Sequence, residues 1–83
     1  MTPLLEIVAL TREGRWDEAH KLVQQHDSTS AAWLHGLLHV QEGDLGNAEY
    51  WYARAGRDFR GRGSVDEELD ALEASLRGQG NAD

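Results

Sequence analysis

Eighty-three residues, 40% of them hydrophobic and none cysteine, suffice for one small core and exclude a second core, a disulfide framework and thiolate metal ligands. A formal net charge of -7 argues against general attraction to DNA, RNA or anionic lipid, all of which reward a positive face. No run approaches the roughly 20 apolar residues of a membrane span, and MTPLLEIVALTREG lacks the basic start and long apolar stretch of a signal peptide, so a soluble cytoplasmic chain without nucleic-acid or membrane partners is expected.

Helix signals follow one another along the chain, and no convincing strand intervenes. Thr2 as cap and Pro3 as first helical residue open a helix over about 3 to 13, which carries Leu4, Leu5, Ile7, Val8 and Leu10 and ends at Gly14. A second helix runs from about Trp16 to Gln25, with Trp16, Ala19, Leu22 and Val23 on one stripe. After the DSTS loop, Ser30 caps a third helix through Gln41; Gly43 stops it, and Asp44 caps a fourth that reaches about Arg57. Gly61 and Gly63 break the chain, and Ser64 with Glu67 forms the S-x-x-E box of a fifth helix, whose stripe is Val65, Leu69, Leu72 and Leu76. That helix ends near Arg77 and leaves 78–83 as a flexible tail. The cations Arg54, Arg57, Arg60 and Arg62 oppose only Asp58, whereas Asp66, Glu67, Glu68, Asp70 and Glu73 follow without a base; this is the charge order of a helix end followed by a helix start.

An internal repeat orders these elements. EGRWDEA at 13–19 returns as EGDLGNA at 42–48, so Glu13, Gly14 and Ala19 match Glu42, Gly43 and Ala48, with Trp16 answering Leu45. Glycine permits the reversal, the large apolar residue anchors the next helix, and alanine lets two backbones approach. Each copy is therefore a helical hairpin, at about 3–25 and 31–57.

Over residues 3 to 57 the chain resembles tetratricopeptide (TPR) and Sel1-like helical repeats: Gly36, Gly43, Ala48, Tyr52 and Ala55 fall at the small, turn and aromatic positions of the TPR pattern, and WYARAG looks like the end of a Sel1 unit. The offset of the two copies is shorter than the roughly 34 residues of a TPR unit, and His35 and His39 stand where that pattern prefers Leu and an aromatic. The hairpin is also similar to small uncharacterised bacterial proteins with HxxxHxxEGD and YWYxxAG segments, which implies no activity. The resemblance implies an all-α, right-handed α-α superhelix of two hairpins capped by the C-terminal helix, one domain over 1–77, and a protein or peptide partner.

The two histidines four apart admit three readings. His35, His39 and Glu42 share one side of the helical wheel, and such a pair can hold one Zn, Ni or Cu ion with a carboxylate as third ligand and His20 or His26 completing the shell. Against this, Ala31, Ala32, Trp33, Leu34, Leu37, Leu38 and Val40 make the same helix apolar nearly all round, as in a central buried helix, where histidines need hydrogen-bond partners. Acid/base catalysis is the third reading, and neither a nucleophile nor a second converging motif accompanies it. The residues favour packing, no enzyme activity and no cofactor, with the metal site as the alternative.

Tyr50, Trp51 and Tyr52 are consecutive and cannot all face one core at 100° per residue. Trp51 and Tyr52 share the side of Ala48 and Ala55, while Tyr50 points towards Arg54 and offers an exposed contact. The TPR register makes a concave face from Leu4, Val8, Trp33, Leu37 and Val40, and with Tyr50 and Arg54 these are the expected partner-binding residues. The fifth helix is expected to fold back rather than pair between chains, since its roughly 13 residues make a weak free-standing coiled coil; any homodimer would use the concave face.

Overall fold

The computed structural model of the chain describes residues 1–80, and those residues form five helices and no strand: α1 (Leu4–Arg12), α2 (Trp16–Val23), α3 (Thr29–Glu42), α4 (Leu45–Arg54) and α5 (Val65–Gly80). None is long and apolar enough to cross a membrane. The repeat is visible as geometry. Gly14 and Gly43 take φ of 78° and 86°, and each places the following N–H on a carbonyl five residues back, Arg15 on Leu10 at 3.1 Å and Asp44 on His39 at 3.0 Å. Both helices thus close by the same left-handed glycine cap. Ala19 and Ala48, at matching positions, are both fully buried. Leu45 departs from the match: it is 48% exposed, whereas Trp16 is half-buried and donates its indole N–H to the Leu38 carbonyl at 2.6 Å.

Helix boundaries differ from expectation where a neighbouring residue supplies the stop or cap. Pro3, not Thr2, occupies the first cap and offers no side-chain acceptor. Ser28 rather than Ser30 caps α3, its hydroxyl accepting from the Ala31 N–H at 3.1 Å, while Ser30 is buried. Asp44 caps α4 as expected. That helix stops at Arg54 because Gly56, at φ 71°, turns the chain so that Arg57 donates to the Tyr52 carbonyl at 3.0 Å. The Ser64–Glu67 box forms reciprocally, at 2.9 and 3.1 Å. The final helix continues past Arg77 to Gly80, so 78–80 are helical; the rest of the expected tail lies outside the described residues.

Packing centres on α3, which touches all four other helices and is buried from Ser30 to His39. Gly36 lies against α4: a Cβ there would stand 2.7 Å from Tyr52 Cδ1 and 3.2 Å from the Ala48 carbonyl. The Tyr52 ring is tied down by its hydroxyl, so it cannot swing aside freely. Gly36→Ala should therefore lose about 1 to 3 kcal/mol through overpacking, read as a lower urea midpoint with an unchanged slope.

Helix α5 folds back, as the sequence implied, and lies on α1 and α3. Leu69 and Leu72 are fully buried, and Arg12 of α1 pairs with Asp70 at 2.8 Å and Glu73 at 3.3 Å. Glu68 is its main polar anchor. One carboxylate oxygen accepts from Tyr52 Oη at 2.7 Å and from Trp33 Nε1 at 3.3 Å, and the other from the Gly63 N–H at 3.3 Å. Glu68 acceptance and burial push the Tyr52 phenol up, burial being the larger cause.

This placement corrects the expected groove. Val8, Trp33 and Leu37 share one core with Leu69 and Leu72, so the side of α1 and α3 that was to receive a partner, or a second copy of the chain, is filled by the chain's own last helix. Arg57 closes over what remains of Trp33, its guanidinium carbon 3.4 Å from the ring centroid. Val40 is left half-buried at the edge.

Candidate functional site

Three histidines converge beside the second hairpin. On α3, residues 35 and 39 are one turn apart, so both imidazoles project to the same side; α2 brings His20 against them. His20 Nε2 and His35 Nε2 lie 3.2 Å apart, one donating and the other accepting. The rings of His35 and His39 stack with centroids 4.9 Å apart, and His20 stands edge-on to both, at 4.9 and 5.2 Å. His39 Nδ1 meets Glu42 Oε2 at 2.6 Å. One ring nitrogen from each of the three histidines falls within 4.8 Å of the other two.

Two tryptophans fix this cluster from opposite sides. Trp16, held by its bond to the Leu38 carbonyl, stacks on His20 at 4.5 Å, and Trp51 of α4 stacks on His35 at 3.9 Å with planes only 10° apart. His35 and His39 are 6% and 4% exposed. Burial, reinforced by the neighbouring His20 and His39, pushes the His35 imidazole down to about 4, and burial lowers His20 as well. His20 and His35 are therefore neutral rings at neutral pH, each able to act as donor on one nitrogen and acceptor on the other.

The expected metal set of His35, His39 and Glu42 is rearranged. Glu42 engages Nδ1 of His39 and so backs that imidazole, while the third converging nitrogen comes from His20. His26 lies elsewhere, donating from Nε2 to the Thr2 carbonyl at 2.7 Å. A second convergence, of His39, Glu42 and Asp44, consists of one imidazole and two exposed carboxylates and shares the His39–Glu42 contact.

From the cluster a ladder of rings runs outward to solvent. Trp51 meets Tyr50 edge-on at 5.3 Å, and the Arg54 guanidinium covers both, 5.2 Å from the Trp51 ring and 5.8 Å from Tyr50, while donating to Tyr50 Oη at 3.0 Å. Tyr50 is 53% exposed, and its orientation towards Arg54 is the one the helical wheel implies. A pocket of about 140 Å³ opens between the start of α3 and α4, lined among others by Ala32, His35, Trp51 and Arg54. Of the expected binding residues, Tyr50 and Arg54 thus share one exposed face, whereas Trp33 and Leu37 belong to the core. Compared with protein-family models, with curated proteins and with solved structures, the chain matches none.

Proposed function

We propose that the chain is a small TPR-like interaction module, two stacked helical hairpins with a covering helix, that binds an acidic peptide segment of a protein partner on the outer side of α4. No catalytic role is part of this reading. The observation that carries it is the preset Arg54: the guanidinium is exposed, makes no ion pair among the described residues, and is held over Trp51 and Tyr50 at the rim of the pocket. Arginine, tyrosine and tryptophan are the side chains that dominate binding energies when preorganised in this way. Arg54 is a local cation in a protein whose net charge is -7, which selects for a short acidic segment rather than a polyanion. The TPR-like reading is supported by the identical glycine closures of the two copies and their buried alanines.

Screening acidic peptides against the native protein should return binders that weaken at least tenfold, about 1.4 kcal/mol, in Arg54→Glu and in Tyr50→Ala, with the melting temperature held because both side chains are exposed. Peptides that bind both variants as tightly as the wild type contradict the assignment of this face.

A further inference from the structure

We propose that His20, His35 and His39 form a site for one divalent transition-metal ion of the zinc class, bound through three imidazole nitrogens, with Glu42 as the carboxylate that orients His39 and a fourth position left to water or an added ligand.

The distances suit that ion. At a zinc–nitrogen distance of about 2.0 to 2.1 Å, tetrahedral geometry separates two ligand nitrogens by roughly 3.3 to 3.4 Å, and His20 Nε2 and His35 Nε2 already lie 3.2 Å apart. The third nitrogen needs to close only from within 4.8 Å, a movement that rotation of one imidazole supplies. All three donors are nitrogen, which selects zinc, cobalt, nickel or copper over calcium and magnesium, both of which require oxygen ligands.

The surroundings match what a histidine site requires beyond its ligands. A metal-bound imidazole usually donates its other N–H to a carboxylate, which fixes tautomer and orientation. With Glu42 Oε2 2.6 Å from Nδ1 of His39, Nδ1 carries the proton and Nε2 is the nitrogen offered to the ion. Stacking on Trp16 and Trp51 holds the other two rings, so little freedom remains to be lost on binding. The pocket that exposes an edge of His35 beside Trp51 and Arg54 gives the ion a route from solvent. Because the ligands come from α2 and α3, an ion there cross-links the two hairpins and raises the stability of the folded chain by mass action.

The test uses full-length protein without an affinity tag, stripped with chelator. Zinc added in a calorimeter should bind saturably at one ion per chain and raise the melting temperature, and cobalt should give the intense visible absorption of a four-coordinate ion. His20→Gln and His39→Gln should abolish both responses. Glu42→Gln, at an exposed side chain, should weaken zinc by about 10-fold or more, and His26→Gln should leave binding unchanged. Absence of saturable zinc binding, binding that survives His20→Gln, or a cobalt spectrum of six-coordinate type overturns the proposal. If a histidine variant fails to fold, the wild-type cobalt spectrum together with Glu42→Gln decides between the same outcomes.

Discussion

Replacing Leu69 and Leu72 together by aspartate should unfold the protein rather than release a folded monomer or a detached helix. Both leucines are fully buried against α1 and α3. Each change removes about 2 to 3 kcal/mol of apolar burial and forces a carboxylate into a site without a cation, which adds several more. A domain of this size has roughly 4 to 12 kcal/mol in total, so the pair exceeds it. Loss of the cooperative melting transition, with far-ultraviolet circular dichroism falling to that of a coil, is the expected reading. A helical, cooperatively melting variant would mean that α5 does not cover the core.

That covering helix also shows which parts of the fold the sequence made legible. The glycine stops at 14 and 43, the Ser64–Glu67 box and the all-round apolarity of residues 31–40 are local patterns, and each reports the structure that forms there. The partner of an apolar stripe is not local. Leu69 and Leu72 announce a buried face without saying that it will take the side of α1 and α3 otherwise left open to a peptide. Glu68 shows the same limit: at the start of a helix it reads as a favourable charge beside the dipole, yet its larger role is to accept from Trp33 and Tyr52, 35 and 16 positions away. Gly56 was hidden for a different reason, since Gly61 and Gly63 follow it and are stronger visible punctuation.

The candidate site was legible in part. The spacing of His35 and His39 placed them on one side of a buried helix and raised the metal question, but only the packing of α2 chooses His20 over His26. Glu42 meets Nδ1 of His39 within α3 itself, three residues away. The stack of Trp16 on His20 is an i, i+4 contact within α2, but nothing in the spacing of 35 and 51 announces that Trp51 clamps His35, because that contact joins α3 and α4. Tyr50 and Arg54 were visible because an i, i+4 pair on one helix is set by local geometry alone.

Acid should destabilise the metal-free protein before its carboxylates titrate. In the unfolded chain His35 takes up a proton at its ordinary value of 6.5, whereas in the fold it resists protonation until about 4. The unfolded state therefore binds more protons in the interval. This group's stabilising contribution is complete above pH 6.5 and is lost as pH falls from 6.5 towards 4. At about 1.4 kcal/mol per unit, His35 alone removes about 2 to 3 kcal/mol between pH 6.5 and 4.5, and His20, also lowered, acts in the same direction. Urea unfolding in chelator across that range should show the loss, and His35→Gln should flatten it. Stability that is level from pH 7 to 5 would contradict the enclosure of His35.

His20 and the two buried histidines, His35 and His39, act as one cluster, and ring nitrogen chemical shifts of the metal-free protein measure this most directly. In a long-range proton–nitrogen NMR titration, His35 should remain neutral down to about pH 4, and the Nε2 signals of His20 and His35 should show one protonated and one bare nitrogen sharing a hydrogen bond. An ordinary His35 midpoint near 6.5, with no shared hydrogen bond to His20, would mean that the cluster does not exist in solution.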